Sequence, residues 1–215
     1  MPHYKLTYFD GRGRAEAIRQ VLALAGAQYE DVRLDFEEWG AIKKTTPLGQ
    51  LPVLEADGVQ LAPTQTILRY IGNAHGLAGS TPLDHAKLDM IAEVVQDLSS
   101  DGGPNGWGLV LFGAHPECRT KVAKLLYFKQ KVVPAIEKYA PLIEKFLLEN
   151  GNNGLLLGDK ETWVDVFTAE NFGRFIDFGE PDCLDAYPSI KKLISRVRTH
   201  PAIAEHIAKR PKSVA

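Results

Sequence analysis

Apolar residues change their period near residue 80 of this chain, and the change predicts two domains of different class. Tyr4, Leu6 and Tyr8 alternate with polar Lys5 and Thr7, the period-two pattern of a half-buried strand. From Ala15 the apolar positions recur as Ile18, Val21, Leu22 and Ala25 before Gly26, which is helical spacing with a stop signal. Tyr29 to Leu34 reads as a second strand. Val53 to Ala56 and Val59 to Ala62 flank Asp57-Gly58, a dipeptide that tolerates positive φ, so they form a hairpin and pair antiparallel. After Pro63, the run from Thr64 to Ala74, with Ile67, Leu68, Tyr70 and Ile71, reads as a helix ended by Gly76. The expected order for residues 1–76 is β-α-β-α-β-β-α, an α/β domain.

Beyond a linker at 77–81, residues 82–215 show helical spacing only, which predicts an all-α domain. The periodic stretches run from Leu83 to Leu98, Val122 to Leu148, Trp163 to Phe178, Ser189 to Val197 and Ala202 to Ala208. Thr162-Trp163-Val164-Asp165 has the form of a capping box, with hydroxyl and carboxylate each satisfying an orphan amide at a helix start. Ser99 to Gly106 holds Gly102, Gly103 and Pro104, which oppose continuation of the preceding helix; it reads as a helix end or a surface loop.

Composition narrows the function classes. A chain of 215 residues that is 45% hydrophobic can bury one good core or two small ones. A formal charge of -2 argues against a nucleic-acid or polyanion surface as the main partner, which needs a concentrated basic face. No run approaches the roughly 18 apolar residues that span a bilayer, and the first residues read as a strand instead of an export signal, so a cytoplasmic location is expected. Cys118 and Cys183 are too few for a disulfide framework and fall in no Cys-x-x-Cys motif. The histidines show no ligand spacing with cysteine or carboxylate, and no metal is expected.

The candidate chemistry gathers around Tyr8 to Glu16. A phenol ends a strand there, a Gly-Arg-Gly-Arg turn follows, and a helix opens beside it. Ligands of open α/β sheets sit outside the carboxyl ends of strands, where helix amides attract negative charge, so Tyr8 and Arg14 face an anionic ligand on this reading; the alternative is a packed core tyrosine. Gln50-Leu51-Pro52-Val53 sets a proline immediately before a strand at the same edge, where a cis bond turns the Leu51 backbone outward.

Tyr8 with Gly11-Arg12-Gly13-Arg14-Ala15-Glu16, Gly49-Gln50-Leu51-Pro52-Val53, and Gly158-Asp159 ahead of the capping box together resemble a cytosolic glutathione transferase. The sigma class looks nearest: Met1 to Phe9, Tyr29 to Arg33 and Trp39 are similar to its invertebrate members and to the haematopoietic prostaglandin D synthase. The similarity covers nearly the whole chain. It implies a thioredoxin-like first domain that binds glutathione, a helical second domain that contributes the electrophile pocket, a homodimer, and no metal.

Carried over by position, Tyr8 donates its hydroxyl to the glutathione sulfur and Arg14 adds positive potential around the thiolate. Trp39 and Lys43 match positions at the glycine end, with Lys43 pairing its carboxylate. Leu51, turned out by a cis Pro52, bonds the cysteinyl backbone, and Gln50 meets the γ-glutamyl end. Asp97 matches an acid that reaches the γ-glutamyl amine across the dimer. For Lys43 and Asp97 composition alone allows a solvated helix charge, and for Trp39 an aromatic lid on the core. Phe9, Gly11, Gly13 and Trp107 match the electrophile side. The chain departs from the family where Gln-Ser normally precedes the third helix: Pro63 and Thr64 stand there, followed by Gln65. Thr64 keeps a hydroxyl and an amide for the γ-glutamyl carboxylate, Pro63 offers neither, and Gln65 is the residue able to swing into the gap. The activity implied is conjugation of the glutathione thiolate to hydrophobic electrophiles in detoxification. The alternatives are a glutathione-dependent prostaglandin D isomerase and a non-catalytic ligand-binding or S-crystallin-like relative.

Overall fold

The structure is a computed structural model that describes residues 2–101 and 120–211. Trp107, the glycines of Gly102 to Gly106 and Cys118 lie outside the described residues. By contact the chain divides into two compact units. One is formed by the described part of Met1–Leu77 with the last helix, the other by Ala78–His200.

The first unit is thioredoxin-like, with a mixed four-stranded sheet. Strands β1 (Tyr4–Phe9), β2 (Tyr29–Leu34), β3 (Val53–Ala56) and β4 (Val59–Leu61) lie in the order β2-β1-β3-β4. The β1–β2 pair is parallel, because helix α1 (Glu16–Leu24) crosses between them; β1–β3 and β3–β4 are antiparallel. Asp57, at φ 48°, and Gly58, at φ 82°, make the hairpin turn. Helices α2 (Phe36–Ile42) and α3 (Thr64–Ala74) complete the expected β-α-β-α-β-β-α order. Leu6, Ile18, Leu22, Leu54, Ile67, Leu68 and Ile71 have no exposed surface, and each such burial contributes about 1.5–3 kcal/mol before entropy is counted.

The second unit is helical throughout its described elements. These are α4 (Pro82–Asp101), α5 (Lys121–Tyr127), α6 (Val133–Glu149), α7 (Trp163–Phe178) and α8 (Pro188–Thr199). Helix α7 is buried on almost every side and packs on α4 and α8, so Trp163, Phe172 and Val166 form the centre of this core. The capping box at its start is present: Thr162 N–H donates to Asp165 Oδ2 at 2.7 Å, and Asp165 N–H to Thr162 Oγ1 at 3.4 Å.

Two helical expectations change. The stretch from Val122 to Leu148 is divided by a π-helical segment, Phe128–Val132. Pro134 follows it; lacking an N–H, it cannot bond the carbonyl four residues back, and the ladder widens ahead of it. The last helix, α9 (Pro201–Lys209), expected in the helical domain, packs on α1 in the first unit instead. The reason is chemical: α1 buries Glu16, and α9 with the residue after it supplies that carboxylate's cations.

Candidate active site

Sheet register brings the predicted residues to one edge. Tyr8 sits opposite Arg33, and Phe9 opposite Leu34, so the turn into α2 leaves the sheet beside the end of β1. Thr7 pairs with Val53 in the antiparallel β1–β3 ladder, which places Pro52 at the level of Tyr8. Leu54 pairs with Leu61, so the chain steps from β4 through Ala62 and Pro63 into α3 at the same level. The carboxyl ends of β1, β2 and β4, the start of β3, and the amino ends of α1, α2 and α3 therefore share an edge. Helix amino ends carry positive partial charge, and an anionic ligand is favoured there.

Tyr8 is 6% exposed, and its hydroxyl oxygen accepts the backbone N–H of Arg14 at 3.0 Å. A phenol has one proton and two lone pairs; with the amide on the oxygen, the proton remains to be donated. The amide also polarises the O–H bond and strengthens it as a donor. Gly13 makes this contact possible. Its φ is +38°, and an added Cβ would lie 2.5 Å from the Tyr8 hydroxyl oxygen and 2.7 Å from a ring carbon. Gly13 thus leaves the space in which the Tyr8 ring and hydroxyl sit. Arg14 contributes its amide to Tyr8, while its side chain is exposed.

The turn is held by a buried charge that the sequence reading passed over. Arg19, fully buried in α1, donates from Nη1 to the Gly11 carbonyl at 2.7 Å and from Nε to both Asp31 oxygens at 3.1 and 3.2 Å. Asp31 also takes Arg33, which in turn reaches Asp10 at 2.8 Å. The signal was a charge on the apolar stripe of α1, between Ile18 and Leu22. Beside this ladder the Tyr29 phenol is pushed up to about 12, first by burial and then by the charge of Asp31.

The other candidates take these places. Helix α2 starts at a capping box in which Asp35 accepts Glu37 and Glu38 amides at 2.9 and 2.8 Å, while Glu38 accepts the Asp35 amide. That box fixes Trp39, half-buried, edge-on to Phe9 with centroids 6.2 Å apart. Phe9 lies 5.5 Å from the Tyr8 ring centre and 5.1 Å from that of Phe36. Lys43 is exposed at the end of α2. The Leu51-Pro52 bond is cis, with Leu51 buried and Gln50 half-buried; Ala62-Pro63 is cis as well. Pro63 brings no side-chain cap to α3, whose first residue, Thr64, is buried and precedes half-buried Gln65.

Asp97 stands on the exposed side of α4, in the second unit. A cleft of about 260 Å³ in that unit is lined by Asp101, Gln130 and Lys138 among others. Among the described residues, no group of three or more histidine, cysteine or acidic side chains is placed to hold a metal, and no helix is long and apolar enough to cross a membrane.

Tyr8 near the end of a strand, level with a cis-proline at the edge of a thioredoxin-like sheet, marks the class of fold, and the comparisons specify the family. Residues 4–73 match the glutathione S-transferase N-terminal domain and residues 116–210 the glutathione S-transferase C-terminal domain. The chain belongs to the glutathione S-transferase family. It is 52% identical over 210 residues to a probable glutathione S-transferase, gst-36, of Caenorhabditis elegans, with 98% of each chain covered. It is 35% identical to the hematopoietic prostaglandin D synthase of Gallus gallus, with 99% of each covered. Among solved structures, a Nu-class enzyme from Haemonchus contortus superposes with a TM-score of 0.84 at 40% identity over the whole of both chains.

Proposed function

We propose that this transferase takes glutathione as co-substrate and that Tyr8 holds its sulfur as the thiolate by donating the phenol proton in a hydrogen bond. The observation that carries this is the Arg14 amide on the Tyr8 hydroxyl oxygen at 3.0 Å, which leaves the O–H as an outward donor. A thiol with pKa near 8.5 is only a few per cent ionised at pH 7, and the thiolate is the nucleophile. A hydrogen bond to a charged acceptor contributes about 1.5–3 kcal/mol, equivalent to lowering the thiol pKa by one to two units. The thiol proton leaves to solvent, the sulfur pair forms a bond to the electrophilic carbon, and that carbon's leaving group departs or its conjugated system takes the charge. Neither a metal nor a separate general base enters these steps.

Along the tripeptide, Lys43 and Trp39 take the glycine end, the Leu51 backbone takes the cysteinyl backbone beside cis-Pro52, and Gln50, Thr64 and Gln65 take the γ-glutamyl end. The sheet edge that gathers the end of β1, the start of β3 and the amino ends of α2 and α3 supports the assignment of the γ-glutamyl and cysteinyl contacts. Asp97 completes the site of a second copy in a cytoplasmic homodimer of the sigma type. The kinship with a hematopoietic prostaglandin D synthase supports the sigma reading, and the 40% identity to a Nu-class enzyme supports the Nu class as its alternative. Hydrophobic electrophiles are the substrates on this reading. The same kinship supports isomerisation of a prostaglandin endoperoxide as a second activity of the thiolate.

The test is steady-state conjugation of glutathione to a chloronitrobenzene. Tyr8→Phe is expected to lower kcat/KM by about 10- to 100-fold, the rate equivalent of one charge-assisted hydrogen bond. Equal rates for the two proteins would overturn the assignment of Tyr8.

A further inference from the structure

The first turn of α1 carries a carboxylate that no step above uses. Glu16 is 1% exposed, and a buried carboxylate survives only when cations and donors surround it. Its Oε1 accepts Arg210 Nη1 at 2.8 Å and Gln20 Nε2 at 3.3 Å, and lies 3.1 Å from His206 Nε2. Arg19 Nη1 approaches Oε2 at 3.8 Å. His206 lies on α9 and Arg210 directly follows it, so the segment 201–210 closes over the beginning of α1.

On its other side the carboxylate faces the catalytic turn. Arg19 Nη1 also holds the Gly11 carbonyl at 2.7 Å, the Glu16 amide bonds the Arg12 carbonyl at 2.9 Å, and the Arg14 amide between them holds the Tyr8 hydroxyl. Glu16 is thus the junction between the C-terminal segment and the peptide groups that aim the phenol. If the latch opens, the carboxylate keeps only Arg19, at 3.8 Å, as a cation and is drawn toward water. Turning out drags the first turn of α1, with the Arg14 amide, off the phenol oxygen, so the effect on the thiol runs through the Tyr8 hydrogen bond.

We propose that Glu16 is a positioning residue for thiolate formation, held in place by a latch made of His206 and Arg210 from the C-terminal segment. The proposal rests on the reading that Tyr8 binds the glutathione sulfur. Glu16 does not touch the substrate; it acts through Arg19 and the backbone of residues 11–16. Its signature is therefore a change in the ionisation of bound glutathione, with little change in how tightly the tripeptide is held.

The experiment titrates the thiolate absorbance of glutathione bound to the full-length protein and, separately, the binding of S-methylglutathione, which has no thiol proton. Arg210→Met is the main variant, because its side chain lies at the rim, 21% exposed, where the fold tolerates its loss better than that of Glu16. Arg210→Met is expected to raise the bound-thiol pKa by about half to one unit, which lowers kcat about three- to tenfold below that pKa and leaves it unchanged well above. S-methylglutathione affinity stays within about twofold, a shift too small to register as a lost contact. Arg210→Lys, which keeps the charge, restores most of the ionisation. A thiol pKa that moves with Tyr8→Phe but not with Arg210→Met, while the melting temperature falls, overturns the latch and leaves a purely structural ion pair. A thiol pKa unmoved by Tyr8→Phe overturns the reading of Tyr8 beneath it. In the Tyr8→Phe background Arg210→Met should have no further effect on the thiol, since both act through one hydrogen bond.

Discussion

A phenol is a poor catalyst unless its proton points at the substrate, and the proposed role of Tyr8 draws on one backbone amide and one missing side chain. The Arg14 N–H occupies the oxygen, and Gly13 leaves the space in which the ring sits. Gly13→Ala asks for a methyl group 2.5 Å from the phenol oxygen and for φ +38° in a residue with a Cβ. The backbone strain costs about 1–3 kcal/mol, and the ring has to move as well. The expected outcome is a folded enzyme with kcat/KM down at least about tenfold, since a misaimed hydrogen bond forfeits most of its contribution. A Gly13→Ala enzyme with parental rates contradicts this account of the turn. Tyr8 was legible in the sequence because a strand pattern ended on it beside a Gly-Arg-Gly-Arg turn. The Arg14 amide was not, since backbone donors leave no mark on residue type. Arg19 was legible only as an anomaly on an apolar stripe, and its partners Asp31 and the Gly11 carbonyl required the fold.

Secondary elements place these residues, and their ends matter more than their middles. Helix α3 begins at Pro63, which provides no side-chain cap and no backbone amide, where the family resemblance implies glutamine. One neutral hydrogen bond is worth about 0.5–1.5 kcal/mol, so Pro63→Gln should tighten glutathione binding by about three- to tenfold. Calorimetric titration yielding the same dissociation constant for both proteins removes Pro63 from the account. Helix α7 begins at a box whose Asp165 carboxylate accepts the Leu156 amide at 2.8 Å and both the amide and hydroxyl of Thr162 at 2.7 Å. Asp165→Ala leaves those donors buried, at about 1–3 kcal/mol each, besides about 1 kcal/mol for the cap. A loss of about 4 kcal/mol or more in urea unfolding is expected, and a loss below about 1 kcal/mol contradicts it. This box, the Asp57-Gly58 hairpin and most helical stretches could be read directly, because capping and turn chemistry use nearest neighbours. The π-helical segment at Phe128–Val132 could not, because the periodicity of Val122 to Leu148 passes through it with little disturbance.

At the level of the whole molecule, the chain divides by contact between a sheet unit that carries Tyr8 and a helical unit that carries Asp97, and its last helix returns to the first unit. Periodicity located the change of class near residue 80 but had no means of assigning α9, because a short amphipathic helix serves either core equally well. What decides it is Glu16. Burial pushes this carboxyl's pKa up, yet the hydrogen bond and charge of His206, followed by those of Arg210, outweigh burial and hold it well below the usual range. The proposed in-trans role of Asp97 needs a second copy. Sedimentation is expected to give a mass near twice 23.7 kDa, with Asp97→Asn raising the KM for glutathione; a monomer with full activity removes Asp97 from the site. The central claim is that the Tyr8 phenol supplies the thiolate, and spectroscopic titration of bound glutathione tests it most directly. The account predicts a bound-thiol pKa one to two units below the free value of about 8.5 in the parent protein and a return to about that value in Tyr8→Phe. An equally depressed pKa in both proteins would contradict it and move the activation to another group at the same sheet edge.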